Sequence, residues 1–430
     1  EQEKLMSKTK SCLKLYTLVD GRNIRPTGNR HAVMNKILLF SCLLLSCALP
    51  QSALADNWQP LTGADTLREL VSGATAEISL RPGVVAVGTY HADGTAQIEA
   101  WNETFERTWA VSGDDQVCNS SNFETNCHRF EVNTDVPNEY RSTQVETGET
   151  HLYQIVDTKA APVSGEAPPD DDGGLGAPSA AEVAAALSDP NGSLGTMNFQ
   201  FDYIAYQGDI PGAGQANAIR MLFQPSLPYK LSETTNLFMR PAVPVIFSQD
   251  VPNPEGGFNS KGVDLGDISF DASLAKTFTG GFMVLAGMAG TLPTATDDAL
   301  GLDQWLMGPE AALAMVRPWG VLGALVSHQW DIAGEDDYDT SITGGQYFYA
   351  FNLKGGWQIN SSPTFSYNHK ATSGNKWSFP LGIGFSKTNI IGGRPWKFGL
   401  QYWHFISSPD VFGPDYQFRF SVSPVVELPW

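Results

Sequence analysis

From residue 198 to the end of the chain, apolar and polar side chains alternate with a period of two. Counting back from Trp430 in twos gives Leu428, Val426, Pro424, Val422, Phe420, Phe418 and Tyr416. Between them stand Pro429, Glu427, Val425, Ser423, Ser421, Arg419 and Gln417. Successive strand residues point to opposite faces, so this is one strand with a wholly apolar side, over about 14 residues. Soluble strands average about five or six residues, whereas a tilted membrane strand needs about 9–11.

The pattern recurs. Phe199, Phe201 and Tyr203 oppose Gln200 and Asp202, and Ile219, Met221 and Phe223 oppose Arg220 and Gln224. Leu237, Met239, Val243, Val245 and Phe247 oppose Arg240, and Ile268, Phe270, Ala272 and Leu274 oppose Asp267, Ser269, Asp271 and Ser273. Phe282 to Met288 has no polar partners, Trp305 to Met315 opposes Glu310, and Leu322, Ala324 and Val326 follow. Tyr347 to Leu353, a weak stretch at 357–368, Trp377 to Phe385 and Trp396 to Tyr402 bring the count to twelve with the last strand. An even number suits a bacterial barrel with both ends on one side. Connections after odd strands are long and polar (about 207–216, 248–263, 293–303, 331–341, 369–375 and 406–415), while those after even strands are mostly short. The long loops carry Asp250, Glu255, Asp297, Asp298, Glu335, Asp336, Asp337 and Asp339; the short turns carry Lys230, Lys276, Arg317, Lys354, Lys387 and Arg394. A soluble sandwich has no reason to sort charge this way. The expected fold is all-β: a twelve-stranded antiparallel transmembrane barrel over 197–430.

Upstream, short alternating runs at 84–90 and 96–101, punctuated by turn residues such as Asp93-Gly94, predict a β-rich domain over 56–158, opened by a short helix within 61–72. Residues 159–196 have linker composition, including Pro168-Pro169 and Asp170-Asp171-Asp172-Gly173-Gly174, which reads as a solvated run rather than a calcium site. Ser179-Ala180-Ala181-Glu182 is a capping-box pattern that predicts a short helix within the linker.

Composition sharpens this picture. The 430 residues hold 27 Lys plus Arg against 46 Asp plus Glu, a formal charge of -19, with 17% charged residues, 42 Gly and 23 Phe. The acidic balance excludes nucleic acid as a partner, because phosphate binding needs clustered cations. Apart from the N-terminal stretch, no apolar run approaches the ~20 residues of a membrane helix. Met34-Asn35-Lys36, an apolar run, and Ala53-Leu54-Ala55 read as a signal peptide over 34–55, with 1–33 an over-extended gene start. Cys47 in Leu44-Leu45-Ser46-Cys47 offers a lipoprotein alternative, which the Ala53-Leu54-Ala55 site outweighs. In an exported chain Cys118 and Cys127 read as a disulfide; a metal site with His128 is the poorer reading, since two thiols and one histidine make an incomplete set. No cofactor or metal is expected.

Residues about 180–430 resemble bacterial outer-membrane transporter-like proteins, including the family named for the MetA pathway of phenol degradation. The resemblance lies in 184–192 leading into Phe199, in Gln224-Pro225-Ser226-Leu227-Pro228 and Arg240-Pro241-Ala242-Val243-Pro244, in 395–402, and in 422–430. It implies an outer-membrane barrel taking up small, aromatic or hydrophobic compounds, with no residue-level binding motif. A terminal strand ending on an aromatic residue, Trp430, implies recognition by the barrel-assembly machinery. The 56–158 domain is extra to the pattern; it weakly resembles small uncharacterised periplasmic domains, and with both barrel ends on one side it is expected in the periplasm. The acidic loops are expected to meet lipopolysaccharide through divalent cations.

For transport, the inward candidates are Arg220, Arg240 and Arg419, with Asp267, Asp271, Glu310 and Glu427. Opposed basic and acidic sets would create a transverse field across a constriction; alternatively they pair with one another. Trp305, Trp319, Trp330, Trp377, Trp396 and Trp403 read as girdle residues facing lipid. No enzyme is expected. The alternatives are a lipid-modifying hydrolase and a non-conducting binding barrel whose function lies in 56–158. Ser327-His328 and His404 near Ser407 cannot make nucleophile–base pairs within their own strands, since neighbours and residues three apart point to opposite faces. A cross-strand pair stays open.

Overall fold

The computed structural model describes residues 57–81, 84–148, 150–156, 177–334 and 338–430. The expected signal peptide, the 1–33 extension, Cys47 and most of the linker lie outside them.

The first part is β1 (Trp58–Leu61), α1 (Ala64–Val71), β2 (Thr75–Arg81), β3 (Val84–Tyr90), β4 (Thr95–Ala100), β5 (Glu103–Ser112), β6 (Gln116–Ser120), β7 (Thr125–Asn133), β8 (Glu139–Gln144) and β9 (Thr150–Val156). Strands β2 to β9 close into a small barrel of their own, because β2 pairs β9 and β7 pairs both β6 and β8; β1 lies outside it, against β7. Alternation drives the closure. Val84, Ala86 and Tyr90 of β3, Ala96, Ile98 and Ala100 of β4, and Phe105 and Trp109 of β5 all turn inward and are buried. Cys118 and Cys127 stand opposite one another on β6 and β7 and form the disulfide.

The second part begins with α2 (Ala180–Ala186) and β10 (Gly195–Thr196). The wall then runs through β11 (Phe199–Gln207), β12 (Asn217–Phe223), β13 (Leu227–Ser232), β14 (Thr235–Pro252), β15 (Phe258–Lys261), β16 (Asp264–Leu265), β17 (Ile268–Phe278), β18 (Phe282–Leu292), β19 (Gln304–Arg317), β20 (Gly320–Gly334), β21 (Ser341–Asn352), β22 (Trp357–Ser361), β23 (Thr364–Asn368), β24 (Trp377–Ile391), β25 (Arg394–Ser407) and β26 (Gly413–Val426). All pairings are antiparallel, and β11 against β26 closes the ring. Three wall strands are broken into pieces, so the wall has twelve strands, as the alternation predicts. Pro225 and Pro363 sit in two of the breaks; a proline has no N–H to give the ladder.

The outer face is apolar. In β19 exposed and buried residues alternate without a fault from Gln304 to Met315. Trp305, Trp330 and Trp377 stand exposed near the long loops, and Trp319 and Trp357 near the short turns. These are two aromatic rows with Leu313, Leu322, Leu381 and Ile383 exposed between them, the arrangement a bilayer requires.

Two expectations need correction. Trp403 is not a girdle residue: it is 1% exposed and points inward. Its odd number puts it on the face opposite Leu400 and Tyr402, where it bonds Gln401 through Nε1 at 3.0 Å. The ladder also ends at Val426, not at Trp430. Leu428 folds against Gly195, and the Trp430 indole donates to the Pro228 carbonyl at 3.0 Å.

The helix α2 forms where the capping box is read. The Ser179 hydroxyl accepts from Glu182 N, and the Glu182 carboxylate accepts from Ser179 N. Its alanines leave little side chain, so barrel backbone approaches closely. A Cβ on Gly356 would lie 3.0 Å from the Ala180 Cβ, and Gly356 has φ of 74°. Gln358, on the barrel wall, donates to Ala184 O at 3.0 Å and to Ser188 Oγ at 2.9 Å. The other side of the helix belongs to the small barrel. Arg107 of β5 donates to both Glu182 carboxylate oxygens, at 2.8 and 2.5 Å, and to Ala177 O. Val183, Leu194, Ile390 and Val425 join the small barrel's buried core. One helix therefore stops the mouths of both barrels.

Candidate functional site

The site is the lumen of the large barrel. Inward side chains form two charge clusters. Asp202, fully buried, accepts from Arg419 at 2.7 and 2.9 Å and from Arg220 at 3.3 Å. The Arg419 guanidinium also lies 4.5 Å from the Trp403 ring centroid, a cation–π contact. In the second cluster Arg240 donates to Asp271 at 2.9 and 3.0 Å, and its Nη2 is 3.9 Å from Glu310. Ser273 donates to Glu310 at 3.0 Å. The ladder register sets these meetings: Asp202 is opposite both Arg220 and Arg419, and Arg240 is opposite Asp271.

Two candidates lie elsewhere. Asp267 precedes β17 and accepts from the amides of Thr294, Ala295 and Leu302, which ties down the long loop before β19. Glu427 lies beyond the end of β26, in the crevice between the two barrels that Lys230 and Glu103 also line. Each departs from its predicted face because it sits past the end of a paired strand, where parity no longer fixes direction.

Two cavities occupy the lumen. The upper one, about 580 Å³, is lined by Arg220, Asp271, Glu310, Gln417 and aromatic residues including Tyr206 and Phe405. The lower one, about 320 Å³, lies above α2. Gln224, Arg240, Leu325 and Gln346 line both and so form the partition between them. One wall of the lower cavity is apolar: Phe238, Met283, Leu285, Ala312, Val321 and Ala350 belong to a single buried cluster. The opposite wall is polar, with Asn198, Gln200, Gln401, Ser421, Ser423 and Lys397. The sequence reading missed Asp202, Lys397 and Trp403 as inner-wall residues. All three fall on the polar parity of their strands, which is the signal that would have found them.

A separate cluster stands on the outer face near the long loops. His328 Nε2 lies 3.3 Å from Ser341 Oγ, and its Nδ1 is 2.7 Å from Thr343 Oγ1. His369 Nε2 meets the same Thr343 oxygen at 2.8 Å. The serine and histidine come from adjacent strands, β21 and β20, so the cross-strand pair left open by the sequence exists. Ser327 and Ser407 make no such contact among the described residues.

No family model matches the chain, and no curated protein matches it. Among solved structures, an outer membrane channel from Pseudomonas putida F1 aligns at a TM-score of 0.43 and 12% identity, over 54% of this chain and 94% of that one. A FadL homologue from Pseudomonas aeruginosa aligns at a TM-score of 0.28 and 11% identity, over 56% of this chain and 93% of that one. The P. putida toluene transporter TodX aligns at 0.20 and 10%, over 83% and 87%.

Proposed function

We propose that the protein is an outer-membrane barrel through which small, aromatic or hydrophobic solutes pass, with the small barrel in the periplasm. One observation carries the reading: an apolar-walled barrel encloses two adjoining cavities, the lower of which has an apolar patch facing a polar wall. A lumen filled only for stability would have no such void, since interiors otherwise pack to crystal density. The helix α2 and the small barrel close the lower end. The acidic long loops would then face lipopolysaccharide through divalent cations, and the C-terminal strand would be read during barrel assembly.

Planar-bilayer conductance tests this. Refolded 56–430 and a shorter chain beginning near Thr196 should both give single-channel steps, larger for the shorter chain. Absence of steps from both, with heat-modifiable migration on gels intact, would refute the channel. The Ser341–His328 contact favours a second reading, lipid ester hydrolysis at the outer wall. Under that reading fatty acid is released from mixed micelles and S341A abolishes the release; no release from the wild type removes it.

A further inference from the structure

Lys397 is the inner-wall cation of the lower cavity that lacks a carboxylate. Its Nζ donates to Ser188 Oγ at 3.2 Å, and no ion pair forms to it among the described residues. Ser188 Oγ in turn donates to Ala184 O at 3.0 Å, so the lysine meets an oxygen whose proton is already committed to the plug. Lys397 lies deep in the molecule yet retains part of its surface, because that surface faces the cavity. An ammonium placed this way, without a counter-ion, is costly unless something anionic completes it.

The other charges on this cavity do not serve. Arg419 and Arg240 also line it, but each is hydrogen-bonded to a carboxylate, Arg419 to Asp202, which Arg220 shares, and Arg240 to Asp271, and neither carboxylate lines the cavity. Asp189 lines it, but its Oδ1 accepts the Asn191 amide at 2.8 Å. Burial also pushes the Asp189 carboxyl up from its ordinary range. Lys397 therefore faces the void with no carboxylate bonded to it among the described residues. Across from it lies the patch of Phe238, Met283, Leu285, Val321 and Ala350.

We propose that the lower cavity binds a small organic monocarboxylate, with the carboxylate at Lys397 and the apolar body against the Phe238–Met283 wall. The inference rests on the channel reading, whose solute class it narrows from apolar to apolar and singly anionic. A cavity of about 320 Å³ sits at the small end of ligand sites, so the body is one ring or a short chain.

The probes are benzoate and its uncharged counterpart benzyl alcohol, titrated calorimetrically into the full chain in detergent at pH 7. Benzoate should bind about tenfold tighter or more. K397M should bring the two probes to parity, and K397R should keep the preference. Equal affinities in the wild type overturn the proposal without any variant, and so does a K397M protein that still prefers benzoate while migrating as a folded barrel. Bilayer recordings on the same preparations separate the two readings. Conductance without benzoate preference defeats this inference alone; benzoate binding that depends on Lys397, without conductance, defeats the channel alone.

Discussion

Inside the small barrel, His128 and His151 are each 1% exposed, with ring centroids 6.1 Å apart. Burial pushes both imidazoles down from an ordinary value of 6.5, His128 to about 3, with His151 and Arg107 adding repulsion, and His151 to about 4. The folded state therefore holds both rings neutral at pH values where the unfolded chain binds protons. Stability is full above pH 6.5 and falls as the pH drops toward 4, because only the unfolded state gains protons over that window. At pH 5 the unfolded chain gains about 2 kcal/mol per histidine by this linkage, so about 4 kcal/mol for the pair. That is a large fraction of the ~5–15 kcal/mol that holds a domain. The measurement is urea unfolding of the detergent-solubilised chain at pH 7.5 and pH 5, followed by the fluorescence of Trp101 and Trp109 in the small-barrel core. The midpoint should fall sharply at pH 5, and the H128Q/H151Q protein should lose most of that fall. The double variant will itself be less stable, so the pH difference within each protein is the quantity compared. A wild-type midpoint that does not move, or a double variant that moves as far, would refute the account.

Other predictions follow from single contacts. R107M leaves Glu182 buried and unpaired, since the two side chains are 7% and 4% exposed; it should cost about 3–5 kcal/mol, and R107M/E182M should recover part of that in thermal melts. Reducing the Cys118–Cys127 bond, whose cysteines are 9 apart in sequence, should cost about 2–3 kcal/mol on a chain-entropy basis and lower the urea midpoint of the small barrel while leaving the large barrel's gel migration unchanged. D202N leaves Arg419 and Arg220 without their carboxylate; reversal potentials in a KCl gradient should shift toward anion preference, and an unchanged potential would mean these residues do not line the conducting path.

How much of this was legible follows from what parity can and cannot encode. A period of two decides which face a side chain takes, and it predicted the twelve strands, the sorting of long and short connections, and the inward placement of Arg220, Arg240, Asp271, Glu310 and Arg419. It applied equally to Trp403 and Lys397, but at Trp403 residue type pulled the reading away, since tryptophan suggests a girdle, and Lys397, on the polar parity of its strand, was not taken up among the inward charges. Asp267 and Glu427 failed for the converse reason, since they lie just outside the ladder. The closure of β2 to β9 was not legible, because the pairing of β2 with β9 joins Glu77 to Gln154 and no local pattern records a contact so distant in sequence. The same holds for α2. The capping box announced the helix, but only the assembled fold places Arg107 against Glu182.

The charge arrangement also bears on how the lumen would select. Opposed basic and acidic sets on separate walls would have produced a transverse field. The register instead puts every arginine opposite a carboxylate, within 3.3 Å, with Arg220 and Arg419 sharing Asp202 and Arg240 facing Asp271. Charges that close largely cancel at a distance of a few ångströms, leaving a formal +1 on the Asp202 cluster and a formal −1 on the Asp271 and Glu310 cluster, a weaker field than wholly unpaired sets would give. The ammonium of Lys397, by contrast, has no carboxylate bonded to it among the described residues, and it is set beside a plug whose own serine it grips. Selectivity should therefore reside at the bottom of the lumen, not at the paired clusters. Neutralising a whole pair, as in R240M/D271N, should leave anion preference nearly intact, whereas K397M alone should remove it. Reversal potentials measured for these two variants on one day, in one lipid, decide between the paired clusters and the lysine; a larger shift from R240M/D271N would return selectivity to the constriction.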